Sequence, residues 1–546
     1  MTYRNAQAKN IGNDEGDVYK FFQMKLSNLV QKNGGNHSFN WKTFECSDAV
    51  APHSLGAKTN LKLTSDNFDI TQCEKSFISA LIRIRIKLNQ ALTLTADTNN
   101  LLRIFVGLKD AAEIFGQTET LCDNVSLLNH TNDAVREQFA YNMIMTRAQK
   151  ETRKFSHSPW ANVSEMDPSV CGVYVNLADI ADGLEHEYQF EINIPYQDML
   201  KYQALLLYPN TICGELTEQV YTTTDAFVWA PVDPDAVKDR LEKQTGASIE
   251  DDFSGSVVDI TRKFTQINNQ SKIPVSYVAA VSPATGKVLT TGSCSLSITS
   301  GQVMYMRTNI AGFNVKPEVL SSIHSLLSER PIIVPSQDLE RRPYQQSALA
   351  NGFDGTIDAV LQSTTSITVM FPRRTTDTTC FENVMYQNVS LNVNKIQYPD
   401  TPFTTTDSRF YQMQLVANEL DGTLEPTQEF EDSFTQPLND PDSGDRYTGC
   451  RTDGTSFCMN FQLERSNAGY VFDGVDTGHA TVPITLRGSP IYSGDNDTYY
   501  IPDSSQPSVH PPPAELWICR DTCFIMAPKE KGGFQYMGPN VPAGFD

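Results

Sequence analysis

Residues 77–88 read Phe-Ile-Ser-Ala-Leu-Ile-Arg-Ile-Arg-Ile-Lys-Leu. Ile82, Ile84, Ile86 and Leu88 alternate with Arg83, Arg85 and Lys87. Side chains alternate between the two faces of a strand, so a period of two describes a strand with one buried face and one wet face. A helix would split the same four aliphatic residues between opposite sides.

The same period recurs along the chain. Val389, Leu391 and Val393 alternate with Ser390, Asn392 and Asn394, and Ala480, Val482, Ile484 and Leu486 alternate with Thr481 and Thr485. Further strands are expected at 101–108, 170–177, 188–195, 219–229, 273–281, 293–300, 303–310, 357–361, 366–371, 457–463 and 522–526. Threonine-rich text such as Thr222–Thr224 and Thr404–Thr406 suits such surfaces. Asp354-Gly355, Asp421-Gly422, Asp453-Gly454 and Asp473-Gly474 read as tight turns, because glycine takes positive φ at no cost. Many short strands separated by turns predict β-sandwiches.

Helices are few. Asn132–Lys150 places Val135, Phe139, Met143 and Ile144 on one side, and Pro317–Ser328 opens on a first-turn proline and lines up Val319, Leu320, Ile323, Leu326 and Leu327. Pro234–Gln244 is a shorter helix ahead of Gly246. Two prolines, Pro231 and Pro234, end the strand text there. The expected parse is therefore an N-terminal arm (1–44), a first sandwich (45–232), a linker with one short helix (233–252), a second sandwich with long loops such as Asp421–Thr448 (253–527), and a C-terminal arm (528–546).

The chain has 546 residues, enough for two large β domains with full cores. It is 40% hydrophobic and 20% charged, too apolar for disorder. Asp and Glu number 65 against 43 Lys and Arg, a net charge of −22. A surface this acidic does not condense on nucleic acid by counterion release, so no sequence-specific nucleic-acid binding is expected. Met1 to Tyr19 lack an apolar core for a secretory signal, and no run approaches the length of a membrane span. The 11 cysteines are accordingly expected as reduced thiols in small apolar sites.

The search for chemistry yields no catalytic, cofactor-binding or metal residues. No nucleophile-elbow or dinucleotide fingerprint is present. Gly286-Lys287 lacks the flanking residues of a phosphate loop and reads as a turn. His186-Glu187 has no second histidine four residues on, and Cys519 and Cys523 are spaced one residue too far for a zinc knuckle, so they read as two thiols across a turn. Asn439–Asp445 is oxygen-rich, but its glycine is misplaced for a calcium loop, and it reads as a solvated acidic loop. Arg341-Arg342 and Arg373-Arg374 are the notable basic pairs and read as surface or intersubunit charges. Of the tryptophans, Trp229 and Trp517 lie in strand text and are expected in the core. Trp41 and Trp160 remain, and Trp160 is the better candidate for a contact residue.

Four stretches, taken together and in order, resemble the major capsid proteins of the polinton-like virus, Maverick/polinton and virophage group. The first is Phe105-Val106-Gly107-Leu108-Lys109-Asp110-Ala111-Ala112-Glu113-Ile114 with the helix Asn132–Lys150, similar to a strand, turn and helix of the family. The second runs from Ile367-Thr368-Val369-Met370-Phe371-Pro372-Arg373 to Tyr398-Pro399-Asp400-Thr401-Pro402, similar to a strand pair closed by a turn. The third joins Gln462-Leu463-Glu464-Arg465-Ser466, Phe472-Asp473-Gly474 and Ile484-Thr485-Leu486-Arg487-Gly488. The fourth is Trp517-Ile518-Cys519-Arg520-Asp521-Thr522, near the family's final strand. The patches span about 60–526; neither the N-terminal arm nor Asp421–Thr448 has a match.

The resemblance implies an all-β fold of two consecutive jelly-roll sandwiches, a double jelly roll, with a few short helices in loops and linker. It implies no enzyme activity and no cofactor. It implies a homotrimer of pseudo-hexagonal outline that meets neighbouring capsomers, penton proteins and minor capsid proteins in the icosahedral shell of a double-stranded DNA virus. The protein would be made inside the host cell, reside in the virion and not be secreted. The first and last dozen residues are then expected to bind neighbouring subunits. Two other readings stand beside this one. A two-domain carbohydrate-binding or carbohydrate-active protein would need a groove with aromatics and a carboxylate pair. A fibre or adhesin would show repeats.

Overall fold

The computed structural model describes residues 24, 40–45, 53–92, 103–108, 111–131, 171–196, 205–223, 227–231, 242–243, 246, 265–267, 272–281, 288–347, 353–370, 386–403, 411–412, 459–464, 474–490 and 513–538. The expected helix Asn132–Lys150, the loop Asn439–Asp445, Gly286-Lys287, Arg373-Arg374 and Trp160 lie outside them.

The decisive stretch is a strand over its whole length. Ile82, Ile84, Ile86 and Leu88 are fully buried while Arg83, Arg85 and Lys87 are half-exposed. Seven further strands complete the first sandwich: β1 (Asn40–Glu45), β2 (Lys58–Lys62), the decisive strand as β3 (Phe77–Leu88), β4 (Phe115–Cys122), β5 (Val125–Thr131), β6 (His186–Pro195), β7 (Leu216–Thr222) and β8 (Val288–Phe313). One sheet runs β1-β8-β3-β6 and the other β2-β7-β4-β5. All pairings are antiparallel. Short strands at 53–54, 70–72 and 207–208, and a longer one at 272–281, extend the first sheet.

The second sandwich repeats the plan. Its strands are β9 (Ile332–Ser347), β10 (Phe353–Val360), β11 (Thr364–Met370), β12 (Tyr386–Val393), β13 (Ile396–Phe403), β14 (Met459–Gln462), β15 (Thr481–Pro490) and β16 (Pro513–Met526). Its sheets run β9-β16-β11-β14 and β10-β15-β12-β13. Adding eight to each index of the first sandwich gives the second. In both, eight strands wind between two antiparallel sheets in the order of a jelly roll. The fold is a double jelly roll.

Strand pairing runs across the expected joint. β8 closes the first sheet against β3, with Ile298 opposite Ile86 and Thr308 opposite Ile78. The first roll thus continues to Phe313, and the expected linker 233–252 falls within the connection between β7 and β8. Two prolines end a strand there without ending a domain, because the connection carries strands of its own. Strand 227–231 joins 103–108, 172–176 and 265–267 in a separate four-stranded sheet. Gly107 and Gly172 permit that sheet's close approach, since a Cβ on Gly172 would lie 2.4 Å from the Phe105 ring. The single strand expected at 219–229 is accordingly two, β7 and 227–231.

The element between the rolls is helix α1 (Pro317–Glu329). Pro317 occupies the first turn, where its missing N–H costs nothing. Val319, Ile323 and Leu327, four residues apart, are buried. They join the first roll's core, together with Ile332, Val334, Phe524, Met526 and Phe534 of the second roll. A separate core fills the second roll around Ile367, Val369, Leu391, Phe461, Ile484 and Leu516.

Other expectations also shift. Asp354-Gly355 lies inside β10, where Gly355 admits the Phe353 ring: an added Cβ would meet it at 2.5 Å. Tyr398-Pro399, joined by a cis peptide bond, lies inside β13 and makes no turn. Cys519 and Cys523 both lie on β16.

Candidate functional site

The chain offers two constructed surfaces, the joint between the rolls and the outer sheet face of the first roll. At the joint, β16 ends at Met526, a single helical turn at Lys529–Lys531 follows, and β17 (Phe534–Gly538) folds back along β16. Within the expected C-terminal arm 528–546, residues 529–531 and 534–538 thus form a helical turn and a strand paired to β16. Phe534 stacks on Phe524 at 4.9 Å and stands edge-on to Tyr208 of the first roll at 5.5 Å. Gly533, at φ +69°, lies so close to the first roll that a Cβ would meet the Cys213 carbonyl oxygen at 2.7 Å.

Polar contacts surround this apolar seam. Lys529 Nζ is 3.8 Å from Asp123 Oδ1, in the turn between β4 and β5. Glu530 meets His324 of α1 at 3.3 Å, and Lys531 Nζ donates to the Ser328 carbonyl. The Tyr208 hydroxyl donates to the Gly214 carbonyl at 3.0 Å, and the Cys122 thiol to the Cys213 carbonyl at 3.7 Å. Burial pushes the Cys122 and Cys213 thiols up from their ordinary range. These are protonated packing groups and not nucleophiles. Sequence reasoning missed the hairpin because its glycines and Pro528 read as an unstructured end. The apolar residues Phe524, Phe534 and Tyr536 were its available signal.

The outer face of the β1-β8-β3-β6 sheet is polar and cross-linked. Arg83 and Arg85 approach Glu187 at 3.5 and 3.3 Å, and Arg83 also donates to Gln302. Thr43 donates to Asn309 at 2.8 Å and Asn309 to Ser79 at 3.0 Å, while Arg307 covers the Tyr305 ring at 4.0 Å. The matching face of the second roll is covered. Thr364, Thr368 and Asn460 are essentially buried, and Thr368 donates to Asn460 at 2.6 Å. Two rolls of one plan therefore present different outer faces.

The residues weighed for chemistry are used structurally. His186 meets Asp182 at 2.9 Å, and Glu187 serves the arginines. Arg341 forms a two-pronged pair with Glu515, and Arg342 pairs with Glu340, so this basic pair is neutralised within the β9-β16 sheet. Burial raises Cys519 to about 12, and Cys523 is fully buried. Trp517 lies in the core, as its strand text indicated. Among the described residues no three His, Cys, Asp or Glu side chains gather where they could hold a metal ion.

No protein-family model matches the chain, and no curated protein matches it in sequence. Solved structures are similar to it at low identity. The PBCV-1 protein VP54, fitted into a reconstruction of the virophage Sputnik, gives a TM-score of 0.47 at 8% identity, covering 93% of this chain and 98% of its own. A chain of the Sputnik virophage structure gives 0.47 at 11%, covering 93% and 90%. The mavirus major capsid protein gives 0.45 at 7%, covering 93% of each.

Proposed function

We propose that the chain is a capsid building block whose work is self-assembly, not catalysis. The observation that carries this reading is the repetition of one jelly-roll order twice in a single chain, with the two rolls fixed together by α1 and β17. Two like rolls per chain give a three-fold assembly six similar lobes, and a six-lobed outline tiles a closed shell. A cyclic trimer satisfies its head-to-tail interface by rotation. Sheet edges covered by neighbours are also protected from uncontrolled pairing.

The finer reading follows the sequence resemblance. The rolls occupy 40–313 and 332–538, joined by α1. The assembly is a pseudo-hexagonal homotrimer that meets its own copies, penton proteins and minor capsid proteins in an icosahedral virion of a double-stranded DNA virus, made inside the host cell. No helix of the described residues is long and apolar enough to cross a membrane.

Light scattering on the purified protein tests this directly. The expected mass is three times the 60.8 kDa chain, with hexagon-like particles in negative stain. A stable monomer sinks the proposal.

A further inference from the structure

One corner allows the two rolls to be compared residue by residue. β4 leads into β5, and β12 into β13, through a two-residue turn in which both residues have positive φ: Asp123 at 46° and Asn124 at 67°, Asn394 at 48° and Lys395 at 71°. This is the mirror-image turn that matches the twist of paired strands. Cys122, ahead of the first turn, is paired with Leu216 of β7, and Val393, ahead of the second, with Ile484 of β15. Two residues further from the turn on the same face, the first roll pairs Thr120 with Glu218. The second roll pairs Leu391 with Leu486 there.

The difference lies inside the sandwich. Leu216, Glu218 and Val220 are fully buried and alternate with partly exposed Thr217, Gln219 and Tyr221, so the Glu218 carboxyl is on the inward face. The Thr120 hydroxyl donates to Glu218 Oε2 at 2.8 Å. On its other side Glu218 is paired with Leu61 of β2. The next row, Thr59-Val220-Thr118, adds two more buried hydroxyls. Tyr196, which follows β6 in the facing sheet, is buried nearby. Burial first, then the charges of Cys73 and Glu218, push its hydroxyl well above the ordinary range. The equivalent rows of the second roll, Gly355-Leu486-Leu391 and Ile357-Ile484-Val393, are wholly apolar.

A carboxyl taken out of water recovers only part of that cost from one hydroxyl donor. Aliphatic side chains in the same place are favoured by burial itself. Two sandwiches of one plan therefore differ in strength at equivalent strands. We propose that the Thr120–Glu218 pair is a built-in opening point of the first roll: β4 and β7 part locally and let water reach the carboxyl, while β12 and β15 stay closed. The device belongs to the single chain and needs no partner.

Hydrogen exchange of the full chain at neutral pH, read by mass spectrometry and corrected for intrinsic rate, tests it. Amides of 118–122 and 216–221 are expected to exchange about tenfold faster, or more, than those of 389–393 and 482–486, which hold the same places in their sheet. Thr120→Val removes a donor from the carboxyl and should speed exchange of β7 further. Thr120→Val combined with Glu218→Met makes the pair apolar at similar volume and should slow β4 and β7 about tenfold, with 389–393 unchanged. Circular dichroism reports whether each variant is folded. Equal exchange in the two pairs of strands of the parent chain overturns the proposal. So does a double variant that exchanges no more slowly than the parent or does not fold, because the polar pair would then strengthen the sandwich.

Discussion

Phe534 meets Tyr208 edge-on at 5.5 Å, and this one ring pair joins the last strand of the second roll to the first roll. Phe534 is 3% exposed and also stacks on Phe524. Replacing it by alanine opens a cavity at the seam and is expected to cost about 3–5 kcal/mol, the usual range for buried aromatic truncation. Because the seam couples two otherwise separate cores, Phe534→Ala should also split a single thermal transition into two. Calorimetry reads both effects. Unchanged stability with a single transition would show that α1 alone couples the rolls. Ending the chain at Gly532, which removes the last 14 residues and Phe534 with them, should act at least as strongly, so that truncation is expected to weaken the fold and not only assembly.

Arg520 Nη2 lies 2.9 Å from Asp338 Oδ2, and Arg520 Nη1 3.3 Å from Glu340. The Asp338 side chain is 9% exposed. Removing the cation alone leaves a buried carboxylate without its charge partner, which typically costs about 3–5 kcal/mol. Arg520→Met should therefore destabilise the second roll strongly. Combining it with Asp338→Leu should recover most of the loss, since replacing both partners by apolar groups is often near neutral. Chemical denaturation of the three variants decides it. Equal loss in the single and double variants would show that the arginine acts through packing of its stem.

Much of this fold is legible in alternation. Ile82 to Leu88, Val389 to Val393 and Val482 to Leu486 each bury the face their pattern names, because one side of each strand looks into a core, whereas Ala480, the first residue of the third pattern, is exposed just ahead of its strand. Other strands do not alternate. β11 is buried on both faces, and β16 on both over most of its length, so their text does not show which side is inward. β8 was read as two strands because Ser300 and Gly301 interrupt its pattern, and only pairing with β3 shows one strand with irregularities at Ile298/Ser300 and Val303/Tyr305. The joint is not legible for a similar reason. Proline and glycine mark local chain breaks, whereas domain limits depend on which distant strand closes which sheet. The joint residues Tyr208, Asp123 and Phe534 lie far apart in sequence, and no local pattern links them.

The buried thiols make a separate prediction. Desolvation raises Cys73 and Cys519 to about 12 and Cys294 to about 11. Reaction with iodoacetamide requires the thiolate, so peptides carrying these residues should remain unlabelled in the native protein at pH 8. They should label fully in denaturant. Peptide mass mapping after a short pulse distinguishes the two states. Fast native labelling of Cys519 would mean that β16 opens readily.

Acid should loosen the joint through Glu530. Its carboxyl is held below the ordinary range, first by its own backbone N–H and then by His324. A group whose folded-state value is depressed gives its full contribution above the ordinary glutamate value, about 4.3, and loses it as pH falls through the lower folded value. The group is fully exposed, so the effect is confined to the local contact. Hydrogen exchange of 529–538, corrected for intrinsic rate, should stay constant from neutral pH to about 5 and accelerate below about 4. Glu530→Gln should show the faster exchange already at neutral pH and lose that dependence on acid. A loss of protection centred between pH 6 and 7, or an unchanged profile in Glu530→Gln, would remove the carboxylate from the account and leave the seam to Phe534 and Lys529.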